Sequence, residues 1–204
     1  MSNNKYKFEN AGSCASEVKN INPNIVNDKY LEKNKEIEVD VIVDDVEVLS
    51  SNLAEIDIKF SKTKKEYYEV ISEDGIFRLK SISNQNHLGM KRGKVIIYVP
   101  DGAMYNRVLL KNLSGDMKIK DLSAVEIVAS SVSGDIKFYN IDSKEKMSIN
   151  SVSGDIVLEE CRVGMLKASS VSGDIIVENT SYIDSDIKSV SGDVDIITNN
   201  DELN

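Results

Sequence analysis

At 204 residues with 41% hydrophobic side chains, the chain can build a sizeable core, and wholesale disorder is excluded. Its 34 acidic residues outweigh 25 basic ones, for a net charge of −9. That excess leaves no dense basic face, which excludes nucleic acid and electrostatic docking on anionic lipid as partner classes. One histidine, His87, and no tryptophan leave a Ser-His-Asp site or a multi-histidine metal centre one candidate or none.

Residues 1–35 are rich in Asn and Lys, and only partial order is expected there, least of all in the first 15 or so. No apolar run precedes Ala11-Gly12-Ser13-Cys14. No stretch approaches the ~18 apolar residues of a membrane span. A soluble chain without direct membrane insertion is expected. Cys14 and Cys161 form no C-x-x-C motif, so a zinc or redox motif is excluded. Two unpaired thiols are expected, with a Cys14–Cys161 disulfide as the alternative.

From Ile37 the pattern sharpens into strands. Ile37–Val43, Val46–Val48 and Ala54–Phe60 alternate apolar and polar residues. Tyr67–Ile71 and Ile76–Lys80 flank Ser72-Glu73-Asp74-Gly75, a hairpin signal. Asn84–Gly93, with His87 inside it, reads as a polar loop and makes His87 a surface residue. Lys94–Val99 is a further strand, stopped by Pro100. Residues 36–104 thus read as an irregular β section that caps the hydrophobic end of residues 105–204, with no linker between the two.

Residues 105–204 are organised by a repeat. Leu113-Ser114-Gly115-Asp116-Met117 is succeeded by Val132-Ser133-Gly134-Asp135-Ile136 and Val152-Ser153-Gly154-Asp155-Ile156. Val171-Ser172-Gly173-Asp174-Ile175 and Val190-Ser191-Gly192-Asp193-Val194 complete the series. The steps between glycines are 19, 20, 19 and 19, a solenoid period. Apolar columns recur two and four residues after each glycine and two and five before it; those seven before and seven after hold except at Ser185, Thr180 and Asn199. Parity shifts between these stretches imply corners. The expectation is an all-β, single-stranded β-helix or β-solenoid, with coils of ~19–20 residues stacked in parallel. The extra residue of the second interval is placed in the polar segment Asn140–Lys146. Ser185 and the polar end Thr198–Asn204 suit a terminal rung.

The Asp116, Asp135, Asp155, Asp174 and Asp193 carboxylates should stack about 5 Å apart. A row of bound cations is one reading. A turn is the other, with Gly permitting a bend and Asp accepting hydrogen bonds from nearby N–H groups or from the serine before glycine. One regular Asp per coil is poor provision for calcium, which takes six to eight oxygens. Neither metal nor cofactor is therefore expected, and the Ser-Gly-Asp row is read as a structural turn, with a ligand row as the alternative. Asn112, Ser131, Ser151, Ser170 and Ser189 add a second polar column that suits a hydroxyl ladder, and no recurring base accompanies any serine. Tyr67, Tyr68, Tyr98, Tyr105 and Tyr139 are candidates for a sugar-stacking face or for burial in strands. Val157 and Ile176 fall on the outer face of adjacent coils, as a small partner patch or as harmless exposed residues.

The V-S-G-D-I repeats, preceded by a strand that ends in Val99-Pro100, resemble the bacterial adhesin-like domain family of the DUF4097 type, also seen in Gram-positive envelope-stress operons. The resemblance covers about residues 37–197. It implies a single-stranded β-helix-like fold, a cell-envelope or extracytoplasmic setting, and no enzymatic activity. The partner classes it implies are protein or polysaccharide at the envelope. The expected function is a non-catalytic binding or structural module. The alternatives are an envelope-stress sensing or regulatory domain and a polysaccharide-active β-helix enzyme, the latter poorly served by four arginines and no acidic cluster that breaks the repeat.

Overall fold

Alternating aliphatic side chains fold into fourteen strands, with no α-helix among the described residues, 35–82 and 92–197 of a computed structural model. Expectations placed on residues 1–34, on the His87 loop and on 198–204 lie outside those residues. No helix among the described residues is long and apolar enough to cross a membrane.

The first half supplies β1 (Glu36–Val41), β2 (Asp45–Ser51), β3 (Asp57–Ser61), β4 (Tyr68–Glu73), β5 (Ile76–Ser81) and β6 (Lys94–Pro100). The repeats supply β7 (Met104–Asn112), β8 (Met117–Ser131), β9 (Ile136–Ser151), β10 (Ile156–Glu159), β11 (Arg162–Ser170), β12 (Ile175–Glu178), β13 (Ser181–Ser189) and β14 (Val194–Ile197). Successive repeats pair in parallel, as in Met117↔Ile136, Ile156↔Ile175 and Ile175↔Val194. The fold is an all-β solenoid.

The parallel ladders run on into the first half. β1 pairs in parallel with both β5 and β7, and β2 with both β6 and β8. Residues 36–51 therefore form a coil slotted between the pair β5 and β6 on one side and the first repeat on the other. The chain lays down this inner coil first, passes to the end of the stack, and returns past it at Pro100-Asp101-Gly102. The end itself is closed by antiparallel strands, β3 on β6 and β4 on β5. The β4–β5 hairpin turns at Asp74 and Gly75, both with positive φ (53° and 79°), as an Asp-Gly turn requires. Antiparallel pairing at this end hides strand edges that a parallel stack would leave open.

Two devices let one coil keep its apolar columns inside. Six residues after each of the first four repeat glycines stands Asp121, Asn140, Glu160 or Asn179, with φ of 47–56°. One left-handed residue turns the chain and shifts the side-chain parity, so positions four and seven after glycine both point inward. A bulge between Ala124 and Glu126, and between Val163 and Met165, makes the second shift. The twentieth residue sits there: Ser143 and Lys146 pair opposite Ala124 and Glu126, with Lys144 and Glu145 between them. The core is the resulting stack, including Ile119, Phe138, Leu158, Ile127, Met147 and Leu166, all at 0% exposure. Burial of this kind, at about 25 cal/mol per Å² of apolar surface, holds the stack together.

One column departs from expectation. Leu113, Val132, Val152, Val171 and Val190, two residues before each glycine, are 41–77% exposed, although alternation counted along the sequence puts them on the same side as Met117 and Ile136. In the first four repeats the residues seven, five and three before glycine point inward, so the one two before it points out, and the inward parity shifts by one residue within Ser-Gly-Asp.

Candidate functional site

The Ser-Gly-Asp corner is built from backbone contacts between coils. A Cβ on Gly134 would lie 1.9 Å from the carbonyl oxygen of Gly115, and one on Gly154, Gly173 or Gly192 would lie 2.1–2.2 Å from the glycine oxygen before it. None of these glycines has positive φ. The residue is required because the coils touch through the missing side chain, not because the bend needs a left-handed conformation.

The polar columns serve the same contact. The backbone N–H groups of Gly134, Gly154, Gly173 and Gly192 donate to the hydroxyls of Ser131, Ser151, Ser170 and Ser189 at 2.9–3.0 Å. Asn112 takes this place for Gly115, at 3.0 Å. Ser189 donates its own hydroxyl to the carbonyl of Gly173, one coil back, at 2.9 Å. The serines before glycine use their backbone N–H groups: Ser133, Ser153, Ser172 and Ser191 donate to the carbonyls of Leu113, Val132, Val152 and Val171. Ser114 also donates its hydroxyl to the Ile42 carbonyl at 3.0 Å.

The aspartates form a ladder. The Oδ1 atoms of Asp116, Asp135, Asp155 and Asp174 accept the backbone N–H of the aspartate one coil on, at 2.8–3.1 Å. Each carboxylate thereby meets a donor where the bend interrupts backbone pairing, which offsets part of the repulsion along the row. Lys137 lies 3.2 Å from the carboxylate of Asp135, and that hydrogen bond raises its pKa. No group of three or more His, Cys, Asp or Glu side chains that could hold a metal occurs among the described residues.

Sequence reasoning missed the start of both rows. Asp45 accepts the N–H of Asp116 at 3.0 Å, so the ladder begins one coil before the first repeat. Asp44 stands where the repeats have glycine, and its carbonyl lies against Gly115. The Asp44 side chain turns toward the closed end, where it accepts hydrogen bonds from the Tyr68 hydroxyl and from the Gly93 N–H, the latter at 2.6 Å. Burial, then the hydrogen bond to Asp44, raises the Tyr68 pKa. The legible signal was Asp45-Val46, which matches the Asp-Ile end of the repeat motif.

The other candidates separate. Tyr68 and Tyr105 are buried. Tyr98 and Tyr139 lie on the outer face, where lysines cover their rings: Lys59 at 4.8 Å from the Tyr98 centroid, Lys120 and Lys118 at 4.9 and 5.6 Å from that of Tyr139. Tyr67 is half-buried against the core, with Lys64 5.8 Å from its ring centroid, so the five tyrosines share no open stacking face. Val157 and Ile176 are cross-strand partners, half-buried on the outer face. Cys161 is a buried free thiol in the column seven after glycine, its pKa raised by burial; Cys14 lies outside the described residues.

The family model for Toastrack DUF4097 matches residues 34–204, which takes in every repeat and the inner coil. The chain belongs to the Toastrack DUF4097 family. No curated protein matches the sequence. Among solved structures, this Toastrack chain is similar to a putative cell adhesion protein from Clostridium sporogenes, with 13% identity and a TM-score of 0.58, covering 81% of this chain and 93% of that one. It also aligns with a putative adhesin from Bacteroides fragilis, at 16% identity and a TM-score of 0.40, covering 81% and 92%. At such identity the first likeness speaks for the Toastrack fold alone.

Proposed function

We propose that this Toastrack domain is a non-catalytic, rigid binding or structural module of the bacterial cell envelope, and that its contact surface is the exposed aliphatic edge of the Ser-Gly-Asp corner. The observation that carries the reading is a division of labour within the motif. Its glycine and aspartate are taken up by coil-to-coil contacts, while the side chains of Leu113, Val132, Val152 and Val171, one per coil, stay at 41–50% exposure. A regular row of exposed aliphatic side chains is what a partner surface needs and what coil stacking does not. The adhesin-type descriptions of the structural neighbours are consistent with an envelope setting.

The test is co-sedimentation of the purified protein with washed bacterial cell walls and with envelope membrane vesicles. Wild-type protein is expected to be retained by one of these fractions and Val152→Lys to be released. Equal retention of the two proteins, or none of either, contradicts the reading.

A further inference from the structure

The two ends of the stack are unlike. At one end β13 pairs with β11 alone and β14 with β12 alone, so among the described residues their outer backbone edges stay open. The core is open there too: Val194 is 39% exposed and Ile196 49%, where Ile175 and Val177, one coil back, are at 0% and 1%. At the other end β3 pairs with β6 alone and β4 with β5 alone. Ile58, Phe60 and Val70 pack on the core from these two strands and are only partly buried. A strand edge with apolar side chains is a template for a further strand. The charges differ as well. The last coil, residues 181–197, carries Asp184, Asp186, Asp193 and Asp195 against Lys188 alone. The connection from β3 to β4 carries Lys62, Lys64 and Lys65. Two open coils face to face would oppose like charges, which disfavours that pairing.

We infer that copies of the chain join end to end, the open coil of one adding β14 to β3 and β13 to β4 of the next. Register carries the inference. The ladders run in unbroken columns from one end of the molecule to the other. One column joins Val194 to Phe60 and another joins Ile196 to Ile58. On the second sheet a column joins Ile187 to Val70. A second copy continued along the stack therefore sets apolar on apolar at all three, and the core runs on through the junction. The outward columns match in charge: Asp195 shares one with Lys59, and Lys188 shares one with Glu69. Asp193, last of the carboxylate ladder, falls on the column of Ser61, from which Lys62 leads into the basic connection. The one like-charged pair, Asp184 with Glu73, meets at the last residue of β4.

Both junctions are antiparallel, because β3 and β4 run against the coil strands. A slip of one residue would turn the apolar columns to water, which fixes the register. The two joined surfaces differ, so the contact is heterologous: every added copy leaves a fresh open coil, and the assembly grows as a filament instead of stopping at a dimer. Long-range repulsion between chains of net charge −9 is screened beyond about 8 Å at 0.15 M salt, which leaves the touching pairs. The junction makes no use of the aliphatic edge at the Ser-Gly-Asp corner, so it stands or falls apart from the proposed function.

The experiment is sedimentation velocity on the full chain at about 0.15 M sodium chloride, up to about 1 mM protein, with electron microscopy of the most concentrated sample. Wild-type protein is expected to pass from monomer to a series of larger species, seen as filaments one solenoid wide. Ile196→Lys, which charges the apolar column at an exposed residue, is expected to remain monomeric with an unchanged melting temperature. Asp195→Lys and Lys59→Asp are each expected to weaken assembly about tenfold. An equimolar mixture of those two is expected to assemble as wild type does, because every junction between unlike copies then pairs opposite charges. Val152→Lys, away from both ends, is expected to assemble unchanged. A wild-type protein monomeric throughout overturns the inference, as does a series that stops at the dimer or a mixture no better than its two components. Retention by envelope fractions, read on Val152, is a separate result and survives the loss of this one.

Discussion

The Cα hydrogen of Gly154 points at the carbonyl oxygen of Gly134, so closely that a methyl carbon there would lie 2.1 Å away. The obstacle is backbone, which cannot rotate aside, and the neighbouring coils hold it from both sides. Gly154→Ala is expected to lower the melting temperature by roughly 5–10 °C or to prevent folding, the scale of an overpacked core. A thermal melt checks this. Gly102→Ala, with nothing within 4 Å of its added carbon, serves as comparison; its φ of +71° makes that change mildly costly but local.

The aspartate ladder gives a graded expectation. Asp155→Asn keeps an oxygen to accept the N–H of Asp174 and should leave stability close to wild type. Asp155→Ala gives that N–H over to water and should cost about 1 kcal/mol. Millimolar calcium, or a chelator, should leave the melt of either protein where it was. Calcium held at 100 times its dissociation constant would add about 2.7 kcal/mol, several degrees in a domain of this size. A rise of that order, lost in Asp155→Asn, would make the row a cation site.

Alkaline pH should act through buried tyrosines. Burial pushes the Tyr105 hydroxyl up to about 12, and Tyr68 shifts the same way. An unfolded tyrosine ionises near 10, so above that pH the unfolded chain releases protons that the folded chain retains. Stability should hold below about pH 10 and fall as pH rises toward 12. Lys94, raised by its hydrogen bond to Glu47, acts with the same sign. Denaturant titrations from pH 8 to 11 should show a shallower decline in Tyr105→Phe. Identical slopes would mean that Tyr105 ionises alike in both states.

How much of this was legible depends on how strictly each residue keeps to the period. Ile136, Ile156 and Ile175 repeat without exception, and so the core columns, the parallel pairing and the site of the twentieth residue could be read from spacing. The inner coil could not. It carries Val43-Asp44-Asp45 where the repeats carry Ser-Gly-Asp, and its insertion between β5 and β7 depends on a return of the chain that no local pattern records. Val152 was legible as a column but not as an exposed one, because the direction of a side chain beyond a bend is set by the bend and not by counting. For the same reason the glycines read as flexible corners, when the demand on them comes from the coil next door.

At each corner the glycine and the aspartate ladder meet the next coil, and the aliphatic row is turned to solvent. Melting Val152→Asp beside Ile156→Asp tests this arrangement most directly, because the two positions lie four residues apart on either side of one corner. Val152 is 44% exposed and Ile156 0%. Val152→Asp is expected to melt within about 2 °C of wild type, as surface substitutions do, and Ile156→Asp to be unfolded at 25 °C by an unpaired buried charge. Equal losses, or a folded Ile156→Asp beside an unfolded Val152→Asp, would contradict the account.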